Sequence, residues 1–97
     1  MTRSDPQDAF RRNYRAAFLR YLPSHAEPAL ATAYRLGRDA LTGDITLLDL
    51  VRIHHDVLAQ TLATAPADEV PDVIDAAADF LAEALAAADM AQRSLHR

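Results

Sequence analysis

The sequence predicts an all-α fold, a four-helix bundle closed by a long C-terminal helix. Three observations carry this. Apolar residues recur at three- and four-residue steps through most of the chain. Proline, glycine and N-capping residues interrupt that rhythm at defined places. No alternation of apolar and polar residues of the β type competes with it. The expected helices cover about 6–22, 25–42, 47–64 and 69–95.

The first opens at Ser4-Asp5-Pro6, a capping residue followed by proline where a missing N–H does no harm. Phe10, Tyr14, Ala17, Phe18 and Tyr21 share one face, and Pro23 stops the helix. The second begins at Ser24-His25-Ala26-Glu27, with Ser and Glu spaced as in a capping box. Its inward face is Ala26, Leu30, Ala33, Tyr34, Gly37 and Leu41, and Gly43 supplies the C-terminal signal. The third starts at Thr46, with Asp49 at the positive end of the helix dipole. Leu47, Leu50, Val51, His54, Val57, Leu58, Thr61 and Leu62 form its apolar arc, and Pro66 closes it. The fourth begins near Asp68 and accommodates Pro71 in its first turn. Its expected core face is Val70, Val73, Ile74, Ala77, Leu81, Ala84, Leu85 and Ala88.

Helix lengths bear on assembly. The first three helices are ~25 Å long at 1.5 Å per residue, the fourth ~40 Å, so up to ~15 Å overhangs around Met90–Leu95. A terminal overhang without a cap predicts pairing with a second copy or continuation into a further segment. Met90, Ala91 and Leu95 are the expected dimer or linker residues, and a homodimer is the expected state.

With 97 residues, the chain has room for one domain spanning 1–97. The absence of Cys excludes disulfides, thiolate catalysis and Cys-based zinc sites. Fourteen acidic residues against ten basic ones give a net charge of −4, which opposes nucleic acid as a partner. No stretch approaches the ~20 continuous apolar residues of a membrane span. Met1–Ala9 is charged where a secretory signal would be apolar, so a cytoplasmic location is expected.

Several side chains invite chemistry. His54 and His55 are neighbours on a helix, so their rings diverge by ~100° and do not form a shared metal site as an i, i+4 pair does. His54 lies in the apolar arc, which favours a buried, hydrogen-bonded ring; a small-ligand or metal sensor centred on it is the alternative. His25 and His96 lie near helix ends and read as solvated. No Ser-His-Asp order, HExxH spacing or glycine-rich phosphate loop occurs, so no enzyme, cofactor or metal is expected. Asp72, Asp75, Asp79, Glu83 and Asp89 read as a solvated stripe. Arg35, Arg38 and Arg52 form either a small basic patch or pairs with Asp39, Asp49 and Asp56. Ala82, Ala86 and Met90 recur every four residues away from the expected core face, a shallow surface that another helix can approach.

Three ordered stretches carry a family resemblance. They are Ala33-Tyr34-Arg35-Leu36-Gly37-Arg38-Asp39-Ala40-Leu41, then Leu47-Leu48-Asp49-Leu50-Val51-Arg52-Ile53-His54-His55-Asp56-Val57-Leu58, and finally Phe80-Leu81-Ala82-Glu83-Ala84-Leu85 with Met90-Ala91-Gln92-Arg93. With Tyr14 and Tyr21 they resemble the N-terminal domain of RsbU-type phosphoserine phosphatases. The resemblance implies a non-catalytic, usually homodimeric module of bacterial partner-switching pathways, which control alternative sigma factors in stress responses. It implies a protein activator of the serine-kinase type, and a signal passed through the last helix to a downstream phosphatase domain. The family's partner surface would fall here on Ala31, Ala82 and Ala86. A free-standing adaptor or antagonist that competes for the same partner is the rival expectation.

Overall fold

The computed structural model describes residues 6–95, without the side chains of Pro6, Leu41 and Leu95. The Ser4-Asp5 cap and His96 expected above lie outside the described residues. The elements are α1 (Pro6–Tyr21), α2 (Glu27–Ala40), α3 (Leu47–Thr64) and α4 (Val70–Leu95). Single 3-10 turns at Leu41–Gly43 and Ala67–Glu69 precede α3 and α4. Among the described residues there is no strand.

Local chemistry sets the boundaries, in two places differently from the expectation. The expected Ser24–Glu27 box does not form, because the chain turns one residue later. His25 adopts the left-handed conformation (φ 52°), and its N–H donates to the Tyr21 carbonyl at 2.8 Å. A non-glycine residue is disfavoured there. The His25 ring is held by stacking on Tyr21 (5.0 Å, 19°), with Nε2 3.5 Å from Asp72 on α4. Helix α2 therefore starts at Glu27, and the Ala26 carbonyl accepts its first i+4 hydrogen bond, from Leu30. After α2, the left-handed residue is Asp44 (φ 64°) rather than Gly43. The start of α3 follows the expectation. Asp49 N–H donates to Thr46 Oγ1 at 3.0 Å, and Thr46 N–H donates back to Asp49 Oδ2 at 3.2 Å.

The helices form a slab of 45 × 37 × 21 Å, two helix diameters thick. All five expected core residues of α1 are buried. Tyr14, Phe18 and Tyr21 close around Phe80 of α4 at ring distances of 5.1, 5.5 and 5.8 Å. Edge-to-face and tilted contacts of this kind add about 0.5–1.5 kcal/mol beyond area burial.

Helices α2 and α4 run side by side in the same direction and meet through small residues. Ala33, Gly37 and Ala40 face Ala77, Ala84 and Ala88, all nearly or wholly inaccessible. At Gly37 the two backbones touch. A methyl group there would sit 2.7 Å from the carbonyl carbon of Ala84, and closer still to its oxygen.

The core face of α4 is rotated from the expected one by roughly 60° at 100° per residue. Phe80, Ala76 and Ala87 are buried, whereas Ile74 is 47% exposed. On α3, Ile53 takes the core position expected of Val51, which is 41% exposed. The overhang is shorter than expected. Met90, Ala91 and Ser94 still line a groove with Arg38 and Thr42, so among the described residues only Leu95 follows it.

Gly37→Ala separates two effects by sign. In a free helix alanine gains about 1 kcal/mol over glycine. Here the methyl has no room, and overpacking costs about 1–3 kcal/mol, often more when backbone must move. Thermal unfolding is expected to show a lower melting temperature than wild type. A higher one would mean that the seam yields without loss.

Candidate partner-binding surface

Ala82 and Ala86 lie two residues either side of Ala84, so each points about 160° away from the α2 seam. Both are exposed, as is Ala31 on α2. Met90 is 51% exposed but does not continue their line. Four residues advance a helix by about 400°, so each such step drifts by ~40°. Two steps from Ala82 bring Met90 round to the α2 side.

There Met90 joins Ala87 and Ala91 in a groove of about 440 Å³, whose opposite wall is Tyr34, Arg38 and Thr42. The expected residues thus fall on two surfaces: Ala82 and Ala86 on the outer face of α4, Met90 and Ala91 at the C-terminal end of the α2–α4 groove. Leu95 has no described side chain. Tyr34 and Arg38, one turn apart on α2, and Thr42 in the following 3-10 turn form this wall, which the sequence pattern alone does not mark as a groove.

His54 is buried at 8% exposure, and its Nδ1 lies 2.7 Å from the Tyr14 hydroxyl. Its ring meets Tyr14 edge-on at 5.9 Å and Phe18 at 6.5 Å. Burial, and secondarily His55, lowers the His54 pKa below the usual histidine range. Burial raises the Tyr14 pKa, so the phenol stays protonated and can donate to the neutral ring. This pair ties α1 to α3 inside the bundle. His55 points outward and is exposed.

Among the described residues no three His, Asp or Glu side chains gather as a metal site requires. Asp72, Asp75, Asp79 and Asp89 are exposed, and Glu83 is half-buried. The Tyr21 hydroxyl titrates above its ordinary range, first through burial and then through Asp79, Glu27 and Glu83. Of the arginines, Arg38 Nε lies 3.7 Å from Asp39, and Arg35 Nη2 donates to Thr32 Oγ1 at 3.1 Å. Asp56 is taken by Arg11 at 2.7 Å and Asp49 by the Thr46 cap, so neither joins Arg52.

The geometry is that of a small all-α domain with an open outer face on its last helix. A family model described as the N-terminal domain of phosphoserine phosphatase RsbU matches residues 12–91. The chain belongs to this family of RsbU N-terminal domains, which is the regulatory and not the catalytic part of those phosphatases. No curated protein and no solved structure gives a match. Among the described residues no helix is long and apolar enough to cross a membrane.

The depressed His54 pKa fixes the sign of a pH effect. Below about 6.5 the unfolded chain binds a proton that the folded chain resists, so acid favours unfolding. Stability is expected to fall as pH drops from 7 toward 5, with a His54 contribution of up to about 1.4 kcal/mol per pH unit. Denaturant titrations of wild type and His54→Gln should converge at low pH. Parallel curves would show that His54 titrates as it does in the unfolded chain.

Proposed function

We propose that this chain is a non-catalytic regulatory and dimerisation module. It binds a protein activator of the switch-kinase type on the outer side of α2 and α4, and passes the signal along α4 to an output domain. Family membership assigns the regulatory role in partner switching. The observation that carries the finer reading is the two-sided character of α4. One side is locked to α2 at Gly37 and Ala84, while the other leaves Ala82 and Ala86 bare.

Small exposed residues let a partner helix approach closely, and Ala31 is the matching exposed position on α2. Met90, Ala91 and Leu95 at the end of the rod are the proposed contacts with a second copy and with the following segment. A cytoplasmic location fits this role.

Ala82→Arg places a long cation on the bare face without touching the core. Affinity for the cognate switch-kinase-type protein, measured by calorimetry, is expected to fall at least about tenfold while helicity is retained. Unchanged affinity would remove α4 from the partner surface. Truncation after Ala91 keeps the buried seam and removes the last turn. Sedimentation velocity is expected to show a dimer for the full chain and a shift toward monomer for the truncated one. A dimer of equal strength in both would place the contact elsewhere.

A further inference from the structure

Between α1 and α2 lies a second cleft, of about 370 Å³, apart from the outer face of α4. Each helix lends it one stripe at i, i+3, i+4 and i+7. Asn13, Ala16, Ala17 and Arg20 form one wall, and Thr32, Arg35, Leu36 and Asp39 the other. A short turn joins the helices, so they run antiparallel and Arg20 stands across from the Thr32–Arg35 end. Asp39 follows one turn beyond Arg35 on the same wall, and its carboxylate lies 3.7 Å from Arg38 Nε.

Neither guanidinium group of this cleft belongs to an ion pair. Ion pairs among the described residues include Arg11–Asp56, His25–Asp72, Arg38–Asp39 and Arg93–Asp89, and none of these involves Arg20 or Arg35. Arg12, Arg15 and Arg52 are likewise outside these pairs, so what marks Arg20 and Arg35 is that they line one cleft from opposite walls. Arg35 is also positioned. Its Nη2 donates to Thr32 Oγ1 at 3.1 Å, and that hydroxyl is itself fixed by donating to the Pro28 carbonyl at 3.1 Å. The remaining guanidinium N–H groups are free for a ligand. Ala16, Ala17 and Leu36 provide apolar walls with room for more than a bare ion.

The geometry points to a binding site for a phosphate monoester in the α1–α2 cleft, held by Arg20 and Arg35 from opposite walls. Two positive charges lining one cleft match a dianion, and planar guanidinium groups present paired N–H donors to its oxygens. The chemistry is shared by a free organic phosphate and by a phosphorylated serine of another protein. This site is separate from the Ala82–Ala86 face, so it stands or falls independently of the function proposed above.

The test is a titration of ¹⁵N-labelled protein, followed by NMR, with glycerol 3-phosphate, N-acetyl-phosphoserine methylamide and, as control, glycerol. Both phosphates are expected to shift the Ala16 and Thr32 amides and the Arg20 and Arg35 Nε–H signals, and glycerol none of them. Arg20→Gln and Arg35→Gln should each weaken binding about tenfold, with Arg52→Gln on α3 close to wild type. Tighter binding of glycerol 3-phosphate would identify the free source, and tighter binding of the phosphoserine derivative the protein-borne one. Absence of shifts in the cleft, equal shifts with glycerol, or binding that survives both substitutions would overturn the proposal.

Discussion

The bundle depends on one close approach, that of the α2 and α4 backbones at Gly37 and Ala84. No side chain separates them at this point, and a single methyl group would collide with the Ala84 carbonyl. Alanines on both helices extend the contact into a seam. Such a seam buries little apolar area per residue but removes nearly all slack between two parallel helices. The bulk missing from it is supplied elsewhere. Tyr14, Phe18, Tyr21 and Phe80 fill the space between α1 and the α2–α4 pair, with none of them more than 4% exposed. The molecule is thus a thin seam beside a thick aromatic block.

That block contains a buried polar pair between α1 and α3, Tyr14 with His54. A neutral histidine beside a protonated tyrosine satisfies both side chains without burying a charge. Among the described residues no side-chain nitrogen or oxygen is fully buried without a partner. The pair also has a directional preference that aliphatic packing lacks, because only one rotation of α1 brings the Tyr14 hydroxyl to His54 Nδ1. It fixes the register of α1 against α3, much as Gly37 fixes α2 against α4.

Legibility in the sequence followed from how much contrast each helix carries. Helix α1 alternates large aromatics with arginines, so all five of its core residues were readable. The Thr46–Asp49 cap was readable for a similar reason, being the local chemistry of four residues. Helix α4 offers little contrast. Alanine occurs on every side of it, so the apolar pattern tolerates several phases, and the tertiary demand for Phe80 among three α1 rings selects one of them. The same ambiguity puts Ile74 on the expected core face, whereas it is exposed in the fold. The Ser24–Glu27 box failed because His25 found a better arrangement through contacts distant in sequence, with Tyr21 and Asp72. For the candidate surfaces, exposure of Ala82 and Ala86 was legible from spacing alone. The pairing of Arg20 with Arg35 across a cleft was not, since it needs the α1–α2 crossing.

The drift of a four-residue repeat around a straight helix explains why α4 carries two surfaces rather than one. Ala82 and Ala86 face outward, and by Met90 the same spacing has turned into the α2 groove. A visitor on the outer face therefore does not need Met90, and a contact at Met90 leaves the outer face free. The two surfaces are nevertheless mechanically joined. The seam at Gly37 allows α2 and α4 almost no independent sliding, so a push on Ala82 moves the pair as one body. The other contacts of α4 with α1 run through ring packing of Phe80 against Tyr14, Phe18 and Tyr21, which involves no backbone-to-backbone contact of the Gly37 kind. In the function proposed above, signal transfer along α4 would be a displacement of the α2–α4 pair against the rings of α1, and the end of the rod near Met90 would travel with it.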